Sequence, residues 1–185
     1  MGILPKPVAC AFIAVNLLLS ANLAAQPQQI LIIRHAEKPD DTKDSHLTAR
    51  GYARAAALVQ YFSGSFSTAD FLYATQKSSG SNRPVETLTP LATALHMTIN
   101  SSIADADYAT LAQQILTDPQ YAGKMLIVCW HHGTIPALAR ALGVDKPPTS
   151  WLDAVFDRVW RIQYSDGQVI FDNLPQRLLF GDSQE

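Results

Sequence analysis

The sequence predicts an α/β fold, a three-layer sandwich with a mostly parallel central sheet, helices on both faces and an antiparallel edge near the C-terminus. Three observations support this prediction. Apolar runs of strand length alternate with longer segments of helical spacing. One run, MLIVCW, has no polar alternation, as expected for a central strand that is buried on both faces. A hairpin signal stands near the C-terminus.

The predicted elements follow one another as strand and helix from residue 29 onward. In chain order they are QILIIR, LTARGYARAAALVQYF, FLYAT, RPVETLTPLATAL, MTIN, YATLAQQIL, KMLIVCW and IPALARALG. Strands that alternate with helices pair in parallel, so helices should cover both faces of the sheet. RVWRIQY and QVIFDNL then flank Asp166-Gly167, which predicts an antiparallel hairpin at the sheet edge.

Residues that typically begin or end helices stand at the expected helix boundaries. Thr48 stands where a helix N-cap is needed, and Gly143 lies just beyond a helix end. Pro90 is the exception, because it falls inside the segment 83–95. A proline there is expected to kink or split the helix.

The first 25 residues have the pattern of a secretory signal peptide. A short basic start, MGILPKP, precedes the apolar run VACAFIAVNLLLSANLAA, which ends in small residues. The alternative is an uncleaved membrane anchor, because the run approaches the length that spans a bilayer. We expect a signal peptide over 1–25, a single domain over 26–185, and a periplasmic or secreted protein that is free of the membrane after cleavage.

Composition and charge restrict the functional classes. Of the 185 residues, 48% are hydrophobic and 16% are charged, which suits one globular domain and excludes a disordered chain. The formal charge is −2, and loss of Lys6 with the signal peptide makes it one unit more negative. This mild acidity disfavours nucleic-acid binding. Only Cys129 remains after cleavage, so no intramolecular disulfide can form.

Polar side chains stand at or beyond the ends of three predicted strands. Arg34 and His35 come at the end of the first strand, Arg83 begins the helix after FLYAT, and His131 and His132 follow KMLIVCW. In a parallel α/β sheet, ligands collect outside the carboxyl ends of the strands. Arginines offer paired donors to phosphate oxygens, and helix starts add backbone N–H groups. The histidines add a nucleophile and a further donor, so the sequence predicts a phosphate site.

Four segments, in order, resemble the histidine phosphatase superfamily, which has the phosphoglycerate mutase-like fold. LIIRHAEKPD resembles its R-H-G motif, with Ala36 in place of the usual glycine. HLTARGYARAAAL is similar to its L-T-x-x-G-x-x-Q-A helix, NRPVETLTPLATAL to its R-x-x-x-T-A segment, and IVCWHHGTIPALARAL to its second histidine motif. The matched segments run from Gln29 to about Leu142, and their shared order makes the resemblance specific.

The resemblance implies a metal-independent hydrolase of the histidine acid phosphatase type that acts on a phosphomonoester or a related phosphorylated compound. His35 would attack phosphorus through a neutral ring nitrogen, and water would then hydrolyse the phosphohistidine. Arg34, Arg83 and His131 would hold the phosphoryl oxygens, and His132 would contact the substrate. The expected partner is a small phosphorylated substrate. No cofactor is expected, and the sequence does not indicate the oligomeric state.

The resemblance leaves open the general acid that protonates the leaving oxygen. Members of the superfamily carry it after the second arginine or directly after the second histidine, and here His132 and Gly133 occupy the latter place. The remaining carboxylates are Asp105, Asp107 and Glu37. Asp105 is preferred, because Asp107 is needed as the N-cap of the following helix. Glu37 is the next candidate, as an acid or as a substrate contact.

The second catalytic histidine is assigned to His131 by counting along the family motif. The motif has a threonine three positions after this histidine and a residue of the helix's first turn, often proline, five positions after it. Thr134 and Pro136 occupy those places when counting starts at His131. Counting from His132 does not reproduce the motif.

Other interpretations of the same residues remain. Arg34-His35 is an ordinary strand-end pair in one of them, and Arg83 faces solvent in another. A metal site at His131-His132 is disfavoured, since neither H-E-x-x-H nor a Cys/His cluster is present. A different functional class is a non-catalytic phosphate- or polyanion-binding protein, which Ala36 and the unidentified acid favour. A phosphomutase is disfavoured, because mutases of this family are usually longer and cytoplasmic.

Overall fold

The computed structural model describes residues 26–41 and 43–183 of the chain. The expected signal peptide, residues 1–25, lies outside the described residues. In chain order the strands and helices are β1 (Gln29–Arg34), α1 (Ala49–Ser65), β2 (Phe71–Ala74), α2 (Arg83–Leu95), β3 (Ile99–Asn100), α3 (Tyr108–Thr117), β4 (Met125–Trp130), α4 (Ile135–Ala141), β5 (Arg158–Ser165) and β6 (Gln168–Pro175). Short 3₁₀ turns, Asp105–Asp107 and Pro119–Tyr121, flank α3.

The strands of the described part of the chain form one sheet in the order β3-β2-β4-β1-β5-β6. β1, β2, β3 and β4 are joined by parallel pairings, whereas β5 and β6 are added antiparallel on the β1 side. The mostly parallel sheet with an antiparallel edge near the C-terminus is therefore confirmed.

Apolar side chains cover both faces of the sheet, because successive residues of a strand point to opposite sides. In β4, which is buried along its whole length, Ile127 belongs to the cluster that contains Leu88 of α2. Its neighbour Val128 belongs to the other cluster, with Leu111 of α3. α1 and α2 thus cover one face and α3 and α4 the other, which confirms the three-layer sandwich.

The helix α2 runs through Pro90 from Arg83 to Leu95 as one element. The expectation of a split at this proline is wrong. Proline removes one backbone hydrogen bond from the helix, but Leu88 and Leu91 on either side of it are almost completely buried. Burial of this apolar face outweighs the single lost bond.

The hairpin between β5 and β6 has the turn that the sequence indicates. Asp166 and Gly167 have φ angles of 51° and 74°, a conformation that aspartate and above all glycine tolerate. The register then pairs Ser165 with Gln168. The predicted antiparallel edge is confirmed at this point.

Candidate active site

The carboxyl ends of β1 and β4 lie side by side, and this register brings two histidines together. Arg34 pairs with Trp130 at the ends of their strands, and the backbone N–H of His35 donates to the Trp130 carbonyl over 3.1 Å. His131 follows Trp130 directly. The ring centroids of His35 and His131 are 5.2 Å apart, with their planes inclined by 70°. Two residues far apart in sequence are therefore neighbours because of strand pairing alone.

The ring of His35 is held in the tautomer that a nucleophile needs. Its Nδ1 lies 2.7 Å from the carbonyl oxygen of Ala36. A carbonyl can only accept, so Nδ1 carries the hydrogen and Nε2 keeps its lone pair. Burial, together with the positive charges of neighbouring groups such as Arg34 and Arg83, lowers the pKa of His35 to about 3. The ring is therefore neutral at ordinary pH.

The loop behind His35 is fixed by α1 and α2. The hydroxyl of Thr48 accepts from the backbone N–H of Gly51 over 3.0 Å and lies 3.2 Å from the Glu37 carbonyl, to which it donates. A Cβ at Gly51 would come within 2.5 Å of that same carbonyl oxygen, so only glycine fits there. From α2, the Thr87 hydroxyl accepts from the N–H of Ala36 over 2.9 Å. Threonine and glycine residues of the family-like segments thus support the nucleophile.

The guanidinium of Arg34 is buried and donates hydrogen bonds to the loop that precedes β5. Its Nη1 donates to the main-chain carbonyls of Leu152, Asp153 and Val155. Its Nη2 lies 2.9 Å from the Asp153 carboxylate, and its Cζ lies 3.9 Å from the centre of the Phe156 ring. Nε has no hydrogen-bond partner in the protein. Arg34 is therefore firmly oriented and still has an uncommitted donor.

Arg83 lies at the first position of α2. Its Nη1 donates to the Asp44 carbonyl over 2.7 Å and its Nη2 to the Gly80 carbonyl over 3.1 Å. Its Nε is buried without a partner. Its charge is close enough to lower the pKa of both His35 and His131. Both predicted phosphate-binding arginines thus act on the histidine pair.

Unpaired buried polar atoms are concentrated at this edge of the sheet. In residues 26–41 and 43–183, the buried side-chain atoms without a hydrogen-bond partner are Arg34 Nε, Arg83 Nε, His132 Nδ1, Thr75 Oγ1 and Ser81 Oγ. They belong to residues at the carboxyl end of β1, β2 or β4, to the loop that leads into α2, or, in the case of Arg83, to the first position of α2. An unpaired buried polar group costs about 1–3 kcal/mol. Such a concentration is typical of a site that binds a polar ligand.

Asp105 is the candidate acid that the structure brings to the second histidine. The indole N–H of Trp130 donates to its main-chain carbonyl over 3.3 Å, and the hydroxyl of Thr134 donates to its carboxylate over 2.6 Å. Burial lowers the pKa of His131, and the negative charge of Asp105 opposes that shift. The carboxylate is therefore near enough to act on the charge of the His131 ring.

The other two candidate acids are placed differently. Asp107 occupies the N-cap position of α3, but its side chain makes no capping hydrogen bond. The carboxylate of Glu37 accepts from Arg50 over 3.0 Å and from Arg54 over 2.8 Å. Glu37 thus forms ion pairs behind the nucleophile loop, and no contact with either histidine is seen. A role for it as acid or substrate contact stays a prediction.

His132 lies at the rim of the site beside Lys38. Its Nε2 is 3.4 Å from the Asp153 carboxylate, and the Nζ of Lys38 is 3.3 Å from the same oxygen. Lys38, Arg83 and Asp153 together line a cavity of about 300 Å³. His132 is therefore adjacent to the Arg34 side of the site, whereas His131 is adjacent to His35. Within the described ranges, no three His, Cys, Asp or Glu side chains are grouped as metal ligands would be.

Sequence reasoning missed a buried ionic network that supports the site. Arg54 of α1 pairs with Asp182 at 2.7 Å and with Glu37 at 2.8 Å, and the Arg54 and Asp182 side chains are each only 2% exposed. Burial alone would raise the pKa of Asp182, but hydrogen bonds from Arg54 and from two backbone N–H groups lower it to about 2. The helical spacing of Arg54 with Leu58, on the inward face of α1, was the available signal.

The described structure has the fold of the histidine phosphatase superfamily, as the sequence motifs indicated. It resembles the protein histidine phosphatase SixA in complex with tungstate, with a TM-score of 0.56 and 15% identity over 80% of this chain and 97% of that one. It also resembles a mycobacterial glucosyl-3-phosphoglycerate phosphatase with inorganic phosphate, with a TM-score of 0.53 and 12% identity over 80% and 95% of the two chains.

A third similar structure is a mutant phosphoserine phosphatase from Entamoeba histolytica with phosphoserine, with a TM-score of 0.52 and 13% identity over 82% of this chain and 99% of that one. No protein-family model matches the sequence, and no curated protein sequence matches it significantly. At these identities the resemblance establishes the fold, and the activity has to be argued from the site.

The lowered pKa of His35 predicts how stability depends on pH. In the unfolded chain the ring gains a proton below about pH 6.5, whereas the folded protein resists protonation until about pH 3. Stability is therefore greatest above pH 6.5 and is lost as the pH falls toward 3, by up to about 1.4 kcal/mol for each pH unit from this group. Denaturant titrations at several pH values measure this slope. It should become shallower in His35→Ala and stay unchanged in His96→Asn, which alters an exposed histidine.

Proposed function

We propose that the protein is a phosphatase that hydrolyses a phosphomonoester or a related phosphorylated compound through a phosphohistidine on His35, without a metal ion or cofactor. One observation carries this proposal. His35, neutral and with Nε2 free, lies close enough to Arg34 and Arg83 for their charges to lower its pKa, and each arginine keeps an unpaired buried Nε–H. This arrangement combines a nucleophile with donors for the oxygens of the group it attacks.

In the first step, Nε2 of His35 attacks phosphorus in line with the leaving oxygen. The N–P bond forms as the P–O bond to the leaving group breaks, and Asp105 acts as the general acid that passes a proton to the departing oxygen. In the second step, Asp105 accepts a proton from water, and the water oxygen displaces His35 from phosphorus. Inorganic phosphate leaves, and both side chains return to their starting states.

The remaining residues act by position and charge. Arg34, Arg83 and His131 hold the nonbridging oxygens, whose charge must be neutralised as the phosphoryl group transfers. These donors are fixed in advance by strand ends, a helix start and main-chain carbonyls. Little reorganisation is therefore needed when the substrate binds.

A non-catalytic phosphate-binding protein of the same fold is the competing function, and the alanine in the R-H-G motif was one reason to consider it. Ala36 is fully buried with Leu47 and Ala55, and its N–H bonds to Thr87 while its carbonyl holds the ring of His35. The methyl group is therefore accommodated without disturbing the nucleophile. This weakens the case for a lost activity.

Hydrolysis of an aryl phosphate by the protein lacking residues 1–25, with and without a chelator, tests the proposal. Turnover that survives the chelator is the expected result. Phosphate binding without turnover would favour the binding protein, and loss of activity with the chelator would show that a metal is required. A panel of phosphorylated sugars, lipopolysaccharide fragments and nucleotides would then separate substrate classes, and transfer of phosphate within a substrate would identify a mutase.

The two neighbouring histidines are expected to respond differently to substitution. His131 lies against His35, whereas His132 is at the rim against Asp153. We expect His131→Ala to lower kcat by at least about 10²-fold, the loss typical of one stabilising donor. His132→Ala should mainly change KM or substrate preference. Steady-state kinetics on both folded variants measures the difference, and the reverse pattern would show that the motif is misaligned.

We also propose that the protein is exported and acts in the periplasm or outside the cell. The basic start and apolar run of residues 1–25 support this proposal. In the part of the chain that the structure describes, no helix is long and apolar enough to cross a membrane. Cell fractionation with mass spectrometry of the N-terminus is the test. Full-length protein retained in the inner membrane would contradict cleavage.

A further inference from the structure

Asp153, in the loop between α4 and β5, makes more contacts with the candidate site than its exposure suggests. Its side chain is 63% exposed, yet Oδ1 lies 2.9 Å from Arg34 Nη2, 3.3 Å from Lys38 Nζ and 3.4 Å from His132 Nε2. Hydrogen bonds and positive charge from Lys38 and Arg34 lower the pKa of Asp153. One oxygen atom thus joins three groups on one side of the site.

The contact with Asp153 uses only some of the N–H groups of Arg34. A guanidinium has five N–H groups. Asp153 takes the outer end of the fork, with its main-chain oxygen on Nη1 and its carboxylate on Nη2. The carbonyls of Leu152 and Val155 also accept from Nη1. The buried Nε–H has no hydrogen-bond partner in the protein.

We propose that Asp153 is a positioning residue for phosphoryl transfer, because it holds the outer end of Arg34 so that the Nε edge is presented to the phosphoryl oxygens. The proposal rests on the phosphatase function proposed above. Asp153 acts through Arg34 and does not touch the reacting atoms. The main-chain bonds of the loop and the Phe156 ring, 3.9 Å from the guanidinium carbon, orient Arg34 on the same side.

A carboxylate that bridges cationic groups could instead compete with the substrate's phosphate. The two roles predict opposite effects on anion affinity. A competitor that is removed frees Arg34, so anions bind more tightly. A positioning residue that is removed lets Arg34 rotate, so anions bind less tightly and the transition state loses more than the ground state does.

The test compares Asp153→Ala and Asp153→Asn with Asp145→Asn, which changes a highly exposed carboxylate of the same loop. We expect kcat to fall about 10- to 100-fold in Asp153→Ala, with KM changed by less than about threefold. Asp153→Asn should recover part of this loss, because its amide oxygen can still accept from Nη2. Asp145→Asn should be unchanged. Wild-type kcat in both Asp153 variants would overturn the proposal.

Anion binding gives a readout that does not need turnover. Inorganic phosphate or tungstate is titrated into each variant by calorimetry, after thermal unfolding has shown which variants are folded. Weaker binding in Asp153→Ala is expected, and tighter binding would overturn the positioning role in favour of competition. If the wild-type protein binds phosphate but hydrolyses nothing, the phosphatase function fails, and the titration still decides how Asp153 acts on Arg34. Should Asp153→Ala not fold, Asp153→Asn decides by the same two measurements.

Discussion

The His35→Ala protein is expected to be folded and to have no measurable turnover. The substitution removes the proposed nucleophile, and phosphoryl transfer to water without it lacks the covalent step. The ring of His35 is only 2% exposed. Alanine therefore leaves a small cavity, at a cost of about 2–5 kcal/mol judged from other buried side chains.

His35→Asn provides the matched control for that cavity. Asparagine keeps a donor near the Ala36 carbonyl while removing the nucleophile, so it should be more stable than the alanine variant and equally inactive. Rapid quenching of the wild-type protein with substrate, followed by mass spectrometry, should locate a base-stable phosphate on residue 35. Activity in either variant, or phosphate on another residue, would rule out His35 as the nucleophile.

The Arg83→Ala protein should lose roughly 10³-fold in kcat/KM, the second largest effect expected. Arg83 is the charged group of α2 that acts on both histidines, and its Nε has no partner in the protein. Arg83→Lys keeps the charge but loses the planar fork, so its loss should be intermediate. Steady-state kinetics on the folded variants measures both effects.

Arg140→Ala is the control for Arg83, since Arg140 is an exposed arginine in the last turn of α4. Its removal changes the net charge by the same amount and should leave kcat/KM unaltered. Equal losses in the two variants would mean that overall charge, and no specific clamp, accounts for the effect. Full activity in Arg83→Ala would place the phosphate away from the start of α2.

The regular part of the fold was predictable because its signals are local. The alternation of apolar runs with helical spacing indicated the strands, the helices and the edge hairpin, and the strand ends indicated Arg34, His35 and His131. The start of α2 indicated Arg83 in the same way. These signals depend on neighbouring residues only, so they can be recognised without knowledge of the tertiary structure.

The rest of the site was not predictable because it depends on contacts between distant segments. Asp153 stands in an irregular loop, where no period marks which side chain turns inward. The burial of Arg54 becomes meaningful only when Asp182 and Glu37 are seen beside it. The split considered at Pro90 does not occur for a related reason, since local propensity ignores the apolar neighbours that keep the helix continuous.

The ionic network behind the nucleophile has a consequence for how the protein matures during synthesis. A chain emerges from the ribosome in sequence order. Arg54 and Glu37 therefore appear long before Asp182, which follows the last strand of the sheet. Until residue 182 arrives, Arg54 lacks its second carboxylate, and the loop that carries His35 is held less tightly. A partly emerged chain thus contains His35 but not the complete ion-pair network behind it, so the site is completed late.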